Sequence, residues 1–136
     1  MTQNLNHSLL VGLGGFLGSI ARYWTAMIAQ RVTLDWPLGT LSANVLGCFL
    51  IGFITGLATR ADGVSTEIKL LFATGFCGGF TTMSSFVYES EKLLRANGYF
   101  HALLYTGSTL SLSILSLLAG ILGAKALIKL GGGPWT

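Results

Sequence analysis

What this sequence lacks most is charge. Lys and Arg number 8 and Asp and Glu 5, so charged residues make up 10% of the 136, where a soluble domain carries about a quarter. With 51% hydrophobic residues and a mean hydropathy of +0.67, an ordinary water-soluble domain is excluded and a membrane protein indicated. Cysteine is equally scarce, and Cys48 and Cys77 both fall inside apolar stretches. That placement suits small apolar side chains better than a disulfide or a metal centre. His7 and His101 lie near the ends of such stretches, and no nucleophile, base and acid recur at a workable spacing, so no enzyme is expected. The net charge of +3 sits mostly at the ends of the apolar runs; it marks membrane flanks, and no nucleic-acid partner is expected.

In place of charge there are four long apolar stretches: 9–28, 41–58, 68–87 with an extension to about 95, and 102–128. Each approaches or exceeds the ~20 residues a helix needs to cross a bilayer. The expected fold is an all-α membrane protein, a single domain over residues 1–136 with four transmembrane helices. "MTQNLNHSLL" has no Lys or Arg before the first apolar run and no small-residue cleavage site follows, so the first stretch is expected to stay as a span. Short connections carry the turn formers Trp36-Pro37, Asp62-Gly63 and Asn97-Gly98, and the tail "GGGPWT" places Trp135 for a membrane interface.

If the four spans alternate, Arg60, Lys69, Lys125 and Lys129 face one side, and Arg31, Lys92 and Arg95 the other, joined there by a snorkelling Arg22. This 4-to-4 balance gives the positive-inside rule nothing to act on. A chain with no preferred orientation is expected to insert both ways, and the two forms to pair as an antiparallel dimer.

The glycine pairs Gly14/Gly18, Gly52/Gly56 and Gly75/Gly79 each stand four apart, the spacing that lets helices approach closely. Polar residues inside the spans need a separate reason. Thr40, Asn44 and Gly47 share one face of the second span; the Asn44 amide serves either as interhelical glue or as pathway lining. In the fourth span Tyr105, Thr109, Ser113 and Ser116 form a stripe of hydroxyls without a carboxylate. Such a row can donate to a small anion shedding its water. Arg22, followed by Tyr23 and Trp24, reads as an interfacial anchor or as an electropositive vestibule. Glu89 and Glu91 are expected at the watery end of the third span, partly offset by Lys92.

The segment "GGFTTMSSF", residues 78–86, is the most demanding. Gly78 and Gly79 weaken a helix, and the hydroxyls of Thr81, Thr82, Ser84 and Ser85 can cap a restarting one. The third helix is therefore expected to be broken near its midpoint, with freed carbonyls suited to a cation and new amide donors suited to an anion. Met83 and Phe86, three apart, would face one side of the restarted helix.

"GGFLGSIARYW", "PLGTLSANVLGCFLIG" and "TGFCGGFTTMSSF" together resemble the first-, second- and third-span motifs of the Fluc (CrcB) family of fluoride channels, over nearly the whole chain. The resemblance implies a fluoride-selective passive channel in the bacterial inner membrane that exports cytoplasmic fluoride. It further implies an antiparallel dual-topology homodimer with two fluoride pores and a structural sodium ion at its centre. On that basis the Gly78 and Thr81 carbonyls hold the sodium, Asn44, Phe86, Tyr105, Thr109 and Ser113 belong to the fluoride pathway, and Arg22 to the vestibule. The family pattern has two phenylalanines in the third-span motif; here Met83 stands at the first and Phe86 at the second. A thioether lacks the electropositive ring edge of phenylalanine, so altered conduction with fluoride selectivity kept is expected.

The main rival is a small dual-topology proton-coupled multidrug transporter, which needs an intramembrane carboxylate; the first span has Arg22 and no Asp or Glu. A non-transporting scaffold would account for the glycine faces but for neither the hydroxyl stripe nor the broken span.

Overall fold

The computed structural model describes residues 2–33, 36–59 and 64–130, with the side chain of Asn97 left aside. Arg60, the Asp62-Gly63 turn and the tail with Trp135 lie outside the described residues. Five helical segments make up the rest: α1 (Thr2–Gln30), α2 (Leu38–Leu57), α3 (residues 66–80), α4 (Met83–Asn97) and α5 (Tyr99–Leu130). Three stretches are long and apolar enough to cross a membrane: Leu38–Leu57, Thr66–Ala96, which runs through the α3–α4 junction, and Tyr99–Leu130. The chain is thus an all-helical integral membrane protein. With 29 residues α1 is also long enough, but Ser19, Arg22 and four glycines leave it less apolar than these three.

The expected close-packing glycines are the points where backbones touch. α1 lies against α3, and α2 runs along α5. A Cβ on Gly14 would overlap Leu71 O, one on Gly18 would overlap Phe76 O, and one on Gly52 would overlap Leu117 O. Helices in lipid gain little from hiding apolar side chains from one another, so direct backbone contact and dispersion hold them together. In keeping with this, large apolar side chains such as Leu13, Phe16, Leu115 and Leu122 point outward. Within α3, Lys69–Cys77 is wound as a π-helix, a rare geometry seldom longer than one turn.

The third hydrophobic stretch is broken as expected, but two details differ. Gly78 and Gly79 remain in a helical turn, Gly78–Phe80, and the chain becomes extended at Thr81 (φ −80°, ψ 158°) and Thr82 (φ −152°, ψ 120°). Gly79 stays helical because its missing side chain is used for contact with Gly15. What opens the helix is a competing partner: Thr81 N–H still donates to Cys77 O at 2.9 Å, whereas Thr82 N–H donates to Asn44 Oδ1 at 2.8 Å. Of the four hydroxyls expected to cap, only Thr82 does so, its Oγ1 accepting from Ser85 N–H at 3.2 Å. Thr81 Oγ1 donates back to Cys77 O, and the Ser84 and Ser85 hydroxyls gather on Thr82 Oγ1 at 3.2 and 3.1 Å.

The α4–α5 connection is shorter than the sequence predicts. Only Gly98 separates the helices, at φ 81°, a left-handed conformation that glycine adopts without steric cost. This corner folds α5 back so that Phe86, Leu93 and Tyr105 bury together, flanked by Trp36, Leu41 and Ala102.

Candidate functional site

The site begins with the broken helix. An extended residue at membrane depth leaves N–H and C=O groups that hydrocarbon cannot satisfy, and Asn44 meets both at Thr82. Its Nδ2 donates to Thr82 O at 3.2 Å while its Oδ1 accepts from Thr82 N–H at 2.8 Å. Of the two roles the sequence left open for Asn44, the glue role is therefore visible directly. Its neighbour one turn on, Gly47, lets Thr81 Cγ2 lie against the α2 backbone.

Beside this clamp lies a cavity of about 270 Å³ lined by Asn44, Cys48, Thr82, Met83, Phe86, Thr109 and Ser113, among others. Five of the six residues expected on the pathway meet here. Thr109 is 2% exposed, and its hydroxyl is buried beside the Tyr105 hydroxyl, too far for a close hydrogen bond. Phe86 is 7% exposed and Met83 67%, so the ring forms a wall and the thioether stands at the open edge. Ser116, the last member of the stripe, is used otherwise: its Oγ donates to Val45 O at 2.8 Å and ties α5 to α2.

Tyr105, the sixth residue, is fully buried and does not line that cavity. Its ring packs on Phe86 with centroids 5.6 Å apart, and its hydroxyl donates to Glu89 Oε2 at 2.8 Å. Thr40 donates to the other oxygen, Oε1, at 2.9 Å. Glu89 in turn borders a larger cavity of about 550 Å³, walled by Ala26, Trp36, Thr40 and Lys92 among others. The Phe86–Tyr105–Glu89 chain of contacts thus connects the two cavities.

Glu89 is the functional candidate that the sequence reading missed. Glu91 does sit at the surface, paired with Arg95, but Glu89 turns inward. The signal was present in the spacing: Phe86, Glu89 and Leu93 stand three and four apart, which places Glu89 on the buried face of α4. Charge alone pointed to water, and the two hydroxyl partners come from distant parts of the chain.

Arg22 is partly buried on α1 and borders neither cavity. It lies one turn before Ala26, on the face that leads to the larger one. At the break, Gly78 C=O loses the Thr82 N–H that an unbroken helix would give it, because that N–H is taken by Asn44. Gly78 is exposed, with nothing near the place of a Cβ. A carbonyl freed in this way, next to the extended Thr81, is an oxygen-only donor set of the kind a hard cation prefers, so these residues fit the expected sodium. Among the described residues no cluster of His, Cys, Asp and Glu competes for a metal.

Fold and site together define a class: an integral membrane protein whose broken helix, locked by a half-buried amide, borders a small cavity lined by hydroxyls and an aromatic ring. The profile described as CrcB-like protein, Camphor Resistance (CrcB), matches residues 9–121, and the chain belongs to that family. It is 44% identical over 125 residues to a fluoride-specific ion channel FluC of Chlorobium chlorochromatii, covering 92% of this chain and 97% of that protein. A protein of the same name from Chlorobium luteolum is 42% identical over 137 residues, covering 98% and 100%. Another from Rhizobium meliloti is 38% identical over 125 residues, covering 91% and 100%.

Proposed function

We propose that this chain is a passive, fluoride-selective channel that catalyses no reaction. The observation that carries the reading is the cavity beside the Asn44–Thr82 clamp on which Met83, Phe86, Thr109 and Ser113 meet. A fluoride ion in that cavity would accept hydrogen bonds from hydroxyls such as those of Ser113 and Thr109, which keep their protons. The ring edge of Phe86 adds a weakly electropositive wall. Selectivity follows from a path that offers a few fixed donors in a dry, narrow space.

In the same reading α1 is a fourth span and the working unit is a dual-topology homodimer, two antiparallel copies in a bacterial inner membrane. The balanced flanking charge and the unusually exposed Gly78 support this. Gly78 and Thr81 of both copies would hold a structural sodium ion, which supplies a fixed positive charge near the anion path. Arg22 would raise the local anion concentration on the way to the larger cavity, and Tyr105, anchored on Glu89, would hold Phe86 in place. Hydrogen fluoride enters cells neutral and dissociates inside, so such a pore lets the trapped anion leave down its electrochemical gradient.

The test is ion efflux from liposomes holding the purified protein, with voltage clamped by potassium and fluoride compared with chloride. Rapid fluoride efflux and no chloride efflux are expected; equal rates, or no fluoride efflux from a verified dimer, would defeat the reading. Met83→Phe is expected to keep fluoride efflux and its selectivity, since it adds a second ring edge at the open side of the same cavity. Loss of efflux from a folded Met83→Phe dimer would remove Met83 from the pathway. The proton-coupled transporter reading gains a carboxylate in Glu89, but both its oxygens are occupied by the hydroxyls of Thr40 and Tyr105, and relatives over nearly the full length carry the channel name.

A further inference from the structure

The cavity has a chemical feature that fluoride conduction does not use, namely two sulfur atoms. Cys48, a free thiol, and Met83 both line it. Both adjoin the clamp: Cys48 lies one helical turn after Asn44 on α2, and Met83 directly follows Thr82, the residue that Asn44 holds by two hydrogen bonds. The second cysteine, Cys77, is fully buried and borders neither cavity.

We propose that Cys48 and Met83 form a binding site for a soft monovalent metal ion, Ag(I) or Cu(I), and that an ion held there plugs the cavity. Thiolate and thioether are the side-chain ligands that select such ions over hard ones. Binding transfers the Cys48 thiol proton to water and leaves a metal thiolate with no net charge, which suits a cavity with mostly apolar walls far better than a free cation does. Met83 completes a two-sulfur set without adding charge. Hard cations such as sodium or magnesium gain nothing from these ligands and are excluded from the site.

The block rests on the channel reading, and binding does not, so the experiment uses both readouts. Silver nitrate is added to proteoliposomes and to detergent-solubilised protein in chloride-free nitrate buffer, since silver fluoride is soluble and silver chloride is not. In the soluble sample, alkylation of Cys48 is followed by mass spectrometry, which reports Cys48 and Cys77 separately. Silver is expected to protect Cys48 from alkylation, and Met83→Leu to raise the silver concentration needed by about tenfold or more, the scale for weakening a metal's surroundings. In the proteoliposomes, silver is expected to stop fluoride efflux reversibly on adding excess dithiothreitol, and Cys48→Ala to abolish this sensitivity, each variant being compared with its own metal-free rate. Unprotected Cys48, or protection that is indifferent to Met83→Leu, would overturn the site. Equal block of Cys48→Ala would overturn the plug. Protection of Cys48 in a protein with no fluoride efflux even without metal would uphold the site and defeat the channel reading instead.

Discussion

Asn44 shows how much can depend on one amide. It is the single side chain that answers both backbone groups of Thr82, and without it two polar groups at a helix break lose their partners at membrane depth. Asn44→Ala is therefore expected to destabilise the folded protein by roughly 2–6 kcal/mol, about 1–3 kcal/mol for each group left unsatisfied. Unfolding in mixed detergent against the wild type measures this, and a loss under ~1 kcal/mol, too small for even one unsatisfied group, would mean that other groups take over the clamp. In the proposed channel Glu89 would act through Tyr105, as a positioning residue. The Glu89–Tyr105 hydrogen bond is charge-assisted, so a double-mutant cycle of Glu89→Ala and Tyr105→Phe is expected to give a coupling of about 1.5–3 kcal/mol. Glu89→Gln keeps an acceptor for the Tyr105 hydroxyl and should restore most of the fluoride efflux that Glu89→Ala loses; equal loss in both variants would tie Glu89 to its charge instead of to this bond.

The helices were legible at the scale of elements because their runs are long and weakly charged, and glycines four apart announced which faces would meet. Predicted stretches and observed helices agree apart from their ends: α1 starts at Thr2, before the apolar run, and α4 and α5 run inward until Gly98 alone separates them. The break was legible as chemistry but not as an address. Glycine content pointed to Gly78 and Gly79, while the opening lies at Thr81 and Thr82, because the deciding partner, Asn44, is 38 residues away in sequence. The π-winding of Lys69–Cys77 left no mark in the composition, and we have no physical account of it. The contact glycines make a sharp prediction. Gly52→Ala places a methyl group on the Leu117 carbonyl and is expected to cost about 1–3 kcal/mol by pushing α2 from α5. Gly12, with nothing within 4 Å of its Cβ position, should accept alanine without loss and gain up to about 1 kcal/mol of helix propensity. Detergent unfolding of the two variants side by side reads the difference, and equal effects would show that α2 and α5 do not pack backbone to backbone.

For the whole molecule, the decisive quantity is a charge difference close to zero. In the proposed four-span arrangement Arg60, Lys69, Lys125 and Lys129 would flank one side and Arg22, Arg31, Lys92 and Arg95 the other, 4 against 4, so neither insertion would be favoured by the cations near the span ends. Adding two lysines at the start of α3, Thr66→Lys with Glu67→Lys, makes the count 6 against 4 at exposed positions that contribute nothing to either cavity. The wild type should place its carboxyl terminus on both faces of the membrane in similar amounts, as read by a tag that reports its side. The double variant should place the termini of most copies on the same face, with the side carrying Thr66→Lys inside. If the working unit needs antiparallel partners, cells expressing only the double variant will lose fluoride resistance. Co-expression with a copy biased the other way should restore it, because each then finds its opposite. Full resistance from the singly oriented variant alone would show that parallel copies, or one copy, suffice, and the proposed sodium site, shared by Gly78 and Thr81 of two antiparallel chains, would fall with the proposed dual topology.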